Sequence, residues 1–162
     1  MMDKIIQFVE EKLAGPMTKL ANQRHLLAIR NGIIATLPLI IVGSFFLIVA
    51  FIPFPESWAI TATIKENAGN ILLPYRLTMQ IMTLYATFGI GMNLAKSYDL
   101  DGLSGGILAT AAFLLTINPG VTDDFGFVIP MGPLGGGGMF VGIIASIVAV
   151  EIFRWTDKSN FK

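Results

Sequence analysis

Few side chains in this sequence are placed to do chemistry. His25 is the single histidine, set in Asn22-Gln-Arg-His-Leu among basic and amide neighbours. An imidazole can shuttle protons or accept a phosphoryl group, but no acid, serine or cysteine stands near it at a spacing that would complete a catalytic set. A polar residue on an interfacial helix is the plainer reading. Asp99 and Asp101 precede Gly102 as at the start of a calcium loop, yet the other ligand positions and the closing glutamate are missing. Asp101 fits better at the N-terminal end of a helix, where a carboxylate meets free backbone N–H groups. Asp123-Asp124 reads as a solvated loop pair. Gly135 to Gly138 is no phosphate cradle, because Met139-Phe140 stand where a P-loop needs Lys and Ser. The chain has no cysteine, which excludes disulfides, thiolate metal sites and a cysteine nucleophile within it. No catalytic residue, metal ligand or cofactor is expected.

The elements that carry these residues are apolar. The 162 residues are 54% hydrophobic and 14% charged, against about 25% charged in a soluble domain. Formal net charge is zero, so there is no basic footprint for nucleic acid. No charge falls between Arg30 and Glu56. That run is apolar on all sides and long enough to cross the roughly 30 Å hydrocarbon core. A chain of this size has no soluble core large enough to bury it, so it reads as a transmembrane helix. Further uncharged runs follow between Arg76 and Lys96, between Asp101 and Asp123, and between Asp124 and Glu151. The expected fold is an all-α integral membrane protein. An amphipathic interfacial segment over 1–30, broken at Gly15-Pro16, leads into a four-span domain over 31–162. The spans are expected at about 32–54, 76–96, 102–118 and 134–155. The connections are a loop from Glu56 to Tyr75 with a short helical turn near Ser57 to Ile64, a tight turn after Lys96, and a turn-rich loop from Asn118 to Pro133. No signal peptide is expected, since the first apolar run is too long for one.

Lys and Arg set the orientation. Lys4, Lys12, Lys19, Arg24, Arg30, Lys96, Arg154, Lys158 and Lys162 share one side, with only Lys65 and Arg76 on the other. Both termini are therefore expected in the cytoplasm. Small residues should hold the spans together, because helices in lipid gain nothing by hiding apolar surface from one another. Gly102, Gly106 and Ala109 share a face of the third span, and Gly138 and Gly142 a face of the fourth. Packing within the chain is preferred for the fourth span, and a homodimer contact for the third. No ionisable residue is expected deep in a span, so no complete substrate or proton site is either.

Four stretches are similar to a known family. They are Gln23-Arg-His-Leu-Leu-Ala-Ile-Arg-Asn-Gly-Ile-Ile-Ala-Thr-Leu-Pro-Leu-Ile-Ile-Val-Gly-Ser-Phe-Phe, Gly89-Ile-Gly-Met-Asn-Leu-Ala-Lys-Ser-Tyr, Leu100-Asp-Gly-Leu-Ser-Gly-Gly-Ile-Leu-Ala-Thr-Ala-Ala-Phe-Leu-Leu-Thr and Ile129-Pro-Met-Gly-Pro-Leu-Gly-Gly-Gly-Gly-Met-Phe-Val. The sequence resembles the enzyme IIC permease of the bacterial sugar phosphotransferase system, in its lactose/cellobiose (diacetylchitobiose) group. The resemblance implies a permease in the cell membrane that takes up a β-linked disaccharide. It also implies partner IIB and IIA subunits, with phosphate passing from a cysteine of IIB to the sugar. Family members are more than twice as long, and their sugar-binding residues lie in the C-terminal half, so those contacts are expected mainly beyond Lys162. His25 does not match the family's sugar histidine. The chain resembles the N-terminal scaffold half, which in the family carries much of the dimer contact, and is expected to be inactive alone. The alternative is a non-transporting scaffold or regulatory subunit that associates with an intact permease.

Overall fold

A short helix, α1 (Gly15–Ala21), opens the described part of the chain, with Pro16 in its first turn where a missing N–H costs nothing. The computed structural model describes residues 14–52, 55 and 58–158. The amphipathic stretch Met1–Leu13 lies outside the described residues. Helix α2 (Arg24–Ile34) runs into α3 (Leu37–Phe51), and together they form one apolar helix of 28 residues. At 1.5 Å per residue it is about 42 Å long, more than a bilayer core needs. The boundary expected between residues 30 and 31 therefore falls inside a continuous helix. At the junction Ala35 and Thr36 keep helical torsions. Pro38 cannot donate to the carbonyl four residues back, which loosens the ladder there. The Thr36 hydroxyl donates to the Ile33 carbonyl at 2.7 Å.

The segment after the first span is more helical than the sequence suggests. Three short helices, α4 (Ala59–Glu66), α5 (Ala68–Ile71) and α6 (Leu73–Thr78), replace the expected loop. The second apolar run is not one regular helix from residue 76. A 3-10 turn at Met79–Ile81 interrupts it before α7 (Met82–Lys96). Helix α8 (Gly102–Thr116) follows a tight turn. The loop after α8 contains an unexpected hairpin, β1 (Gly120–Thr122) with β2 (Gly126–Val128), paired antiparallel with Val121 opposite Phe127. A three-residue connection joins the strands, and Gly126, the first residue of β2, takes a left-handed φ of 65° that glycine adopts freely. A one-turn helix, α9 (Met131–Leu134), and a 3-10 turn at Gly136–Gly138 then lead into α10 (Met139–Lys158).

Helix α7 is the hub, packed by α2, α8 and α10. Glycine permits the close approaches. A Cβ on Gly91 would overlap the Ala109 methyl and lie 2.5 Å from the Gly105 carbonyl oxygen. A Cβ on Gly32 would lie 2.5 Å from the Ile90 nitrogen. Large apolar side chains point outward instead, with Ile41 70%, Phe45 62%, Ile48 62% and Leu115 87% exposed. Water would penalise that arrangement, while hydrocarbon accepts it. Among the described residues two helices are long and apolar enough to cross a membrane, Arg24–Phe51 and Gly136–Lys158, with Gly102–Thr116 a shorter apolar helix.

Candidate functional site

The folded chain gathers polar side chains at the end of the bundle that holds the α7–α8 turn. His25 comes from the first turn of α2, Tyr98 from the turn itself, and Glu151 from the second half of α10. Backbone bonds fix the turn. Tyr98 and Leu100 N–H both donate to the Ala95 carbonyl, Asp99 N–H donates to Lys96, and Asp99 takes a left-handed φ of 60°. Aspartate tolerates that conformation better than most residues. Asp101 then caps α8, accepting from Ser104 N–H at 2.7 Å. Hydrogen bonding from Ser104 holds the Asp101 carboxyl below its ordinary range.

Glu151 Oε1 is the shared acceptor. It lies 3.0 Å from His25 Nε2 and also accepts from the Tyr98 hydroxyl, while Glu151 Oε2 lies 3.4 Å from Arg154 Nη1. The hydroxyl stands 3.3 Å from His25 Nε2. With Tyr98 donating to the carboxylate, the tautomer that satisfies His25 carries its proton on Nε2. Two guanidinium groups flank the tyrosine ring, Arg154 at 4.1 Å and Arg24 at 4.7 Å from its centroid. Burial, then the bond to Glu151, raise the pKa of the Tyr98 phenol, against the pull of the two arginines. The sequence offered nothing around His25, and the fold supplies Tyr98 and Glu151 from 73 and 126 residues away. The carboxylate is a poor neighbour for an incoming phosphoryl group. The arrangement ties three elements together. No group of three potential metal-ligating side chains occurs among the described residues.

The packing candidates are buried within the chain. Gly102 meets the Lys96 stem, with 2.7 Å from a would-be Cβ to Cε, and Gly106 meets the Phe88 ring at 2.8 Å. Ala109 is fully buried. The small-residue face of α8 thus packs against α7 within the chain. A Cβ on Gly138 would overlap the Pro133 carbonyl oxygen, and one on Gly142 would lie 2.7 Å from Thr87 Cγ2. Sequence reasoning missed Gly32, Gly91 and Gly105, which make close interhelical approaches. The spacings Gly91-x-x-x-Ala95 and Gly105-x-x-x-Ala109 were the signal. At the opposite end of the bundle from the His25 cluster, a cleft of about 570 Å³ lies between the end of α8 and the glycine segment, lined by Phe113, Thr116, Asn118 and Gly138 among others. It holds no ionisable side chain.

Residues 30–162 match the family model described as Phosphotransferase system, EIIC. The chain belongs to that family. It is 40% identical to the lichenan permease IIC component of Bacillus subtilis (strain 168) and 38% identical to the PTS system cellobiose-specific EIIC component of Geobacillus stearothermophilus. Each alignment covers 98% of this chain and 38% of the relative. The crystal structure of the transporter ChbC, the IIC component from the N,N'-diacetylchitobiose-specific phosphotransferase system, superposes with a TM-score of 0.81 at 32% identity. That match covers 94% of this chain and 38% of ChbC. The chain therefore spans about 38% of the length of the relatives it matches. An EIIC chain is a membrane protein, which accounts for the outward-facing apolar residues of α3, α8 and α10.

Proposed function

We propose that this EIIC chain is the membrane-embedded scaffold portion of a phosphoenolpyruvate-dependent permease for a β-linked disaccharide such as cellobiose, diacetylchitobiose or lactose. The family match over residues 30–162 carries the reading, with the printed specificities of the relatives supporting the sugar class. The packing around α7 suits a frame. The cleft beside the end of α8 has no charged side chain in its lining, and the sugar's main contacts are assigned outside these 162 residues. The chain has no cysteine, so the phosphoryl donor is a partner, by analogy with relatives named as EIICB components. A homodimer belongs to the same proposal, through a face other than Gly102, Gly106 and Ala109.

Expressed alone in a permease-null cell, the chain is expected to give no uptake of labelled cellobiose. Fused in place of the aligned part of the lichenan permease, it should restore uptake that depends on phosphoenolpyruvate. Uptake by the chain alone would show that the site was misplaced. A chimera that inserts in the membrane but transports nothing would favour the non-transporting scaffold.

Four spans with both termini cytoplasmic complete the proposal, from the nine-to-two bias of Lys and Arg. The cysteine-free background makes this testable. Thr122→Cys should react with an impermeant maleimide in intact cells, and Asp157→Cys should react only after lysis. The opposite pattern would invert the orientation.

A further inference from the structure

A second polar feature lies beside the His25 cluster. A cleft of about 370 Å³ opens between α2 and the end of α7, with Arg24, Lys96, Asn22, Asn31, Asn93 and Ser97 in its lining. No carboxylate lines it. The carbonyls at the end of α7 are already used. Ser97 N–H takes Asn93, the Ser97 hydroxyl takes Leu94, Tyr98 and Leu100 N–H take Ala95, and Asp99 N–H takes Lys96. Arg24 and Lys96 are the charged residues among those that line the cleft. The Arg24 guanidinium carbon lies 4.7 Å from the centroid of the Tyr98 ring. Lys96 draws on Asp101 from outside the cleft, but Asp101 Oδ2 is committed to Ser104 N–H. The Glu151 carboxylate is held by His25, Tyr98 and Arg154.

An apolar track leaves this cleft. Leu27, Asn31, Ile34, Leu37 and Ile41 follow one another at three- and four-residue steps, so they share a face of the α2–α3 helix. Ile34, Leu37 and Ile41 are 51%, 48% and 70% exposed. A cleft lined by two cations beside an exposed apolar row matches the form of a phospholipid, with a phosphate at one end and an acyl chain at the other. We infer that the Arg24–Lys96 cleft binds the phosphate of an anionic phospholipid headgroup, with an acyl chain lying along Ile34, Leu37 and Ile41. Basic pockets between membrane helices on the cytoplasmic side recognise such headgroups. The inference rests on the membrane reading above, but not on sugar transport. Inverted cysteine labelling would change the leaflet and leave the binding intact.

The test is native mass spectrometry of the full 162-residue chain released from neutral detergent. It is titrated with dioctanoyl phosphatidylglycerol, with dioctanoyl phosphatidylcholine, and with inorganic phosphate. Phosphatidylglycerol should bind at least fivefold more tightly than phosphatidylcholine. Lys96→Gln should weaken phosphatidylglycerol about fivefold, the worth of one basic residue near an anionic surface. Lys96→Arg should keep the binding, and Lys158→Gln, which removes a charge outside the cleft, should leave it unchanged. Arg24→Gln should match Lys96→Gln. Because Arg24 also stacks on Tyr98, the Lys96 pair decides the matter if the Arg24 variant unfolds. Equal losses in Lys96→Gln and Lys158→Gln would overturn the site, as would equal binding of the two lipids. Binding of inorganic phosphate that depends on Lys96, with no adduct of phosphatidylglycerol, would overturn the lipid and assign the cleft to a free phosphate.

Discussion

Replacing Gly91 with alanine is expected to lower the stability of the bundle, although alanine is the better helix former by about 1 kcal/mol. The added methyl would overlap that of Ala109 and press on the Gly105 carbonyl. Backbone lies on the far side of the contact, so α7 and α8 would have to move apart. Overpacking of this kind costs about 1–3 kcal/mol, which outweighs the gain in propensity. Gly91→Leu should cost more, and the variant should aggregate in mild detergent. Within the glycine segment the same chemistry should give opposite results. Gly138→Ala would place its Cβ on the Pro133 carbonyl oxygen, whereas Gly136→Ala has nothing within 4 Å. Thermal unfolding in dodecyl maltoside, followed by tryptophan fluorescence, should show large losses for Gly91→Ala and Gly138→Ala. Gly136→Ala should melt within a degree or two of the parent. A Gly91→Ala protein as stable as the parent would mean that α7 and α8 are not in contact as described.

These approaches show what the sequence could and could not convey. Uncharged runs and helix-breaking residues carried the positions of the main apolar helices, because burial and backbone cost act locally. The pairing of small residues is non-local. Gly91 reads as one glycine among 17 until α8 is laid against it, and Gly106 reads as a dimer contact until the Phe88 ring is seen to cover it. The break at Met79–Ile81 carries no proline or glycine, so periodicity ran straight through it. The hairpin at Gly120–Val128 was hidden by its length, since three residues per strand give no usable alternation. Gly126 in the left-handed region was the legible part.

The polar cluster was less legible still. His25, Tyr98 and Glu151 lie in separate elements, and each alone has a bland explanation. Glu151 marked the end of an uncharged run, and Tyr98 closed a short turn. Their meeting depends on α2, α7 and α10 converging, and Ala28, Leu94, Ala95 and Val150 form the apolar layer directly beside them.

Glu151→Ala is expected to loosen that end of the bundle by about 2 kcal/mol. One carboxylate serves three donors, and removing it strands all of them. The figure stays modest because the His25 and Glu151 side chains are 32% and 36% exposed. Water can therefore replace part of what is lost, and the half-exposed Arg154 pair contributes at most about 1 kcal/mol. Glu151→Gln keeps an acceptor oxygen and should lose less. Tyr98→Phe removes one donor and should lose about half as much as Glu151→Ala. If the three side chains act as a unit, Tyr98→Phe combined with Glu151→Ala should cost about 1 kcal/mol less than the sum of the two changes. Hydrogen exchange would localise the effect, with faster exchange at Arg24–Ala28 and little change in the middle of α7. That pattern follows from the cluster's position, since it fastens the first turn of α2, which has no side-chain cap of its own. Strict additivity in the double variant, or exchange that rises evenly along α7, would show instead that apolar packing alone holds this end together.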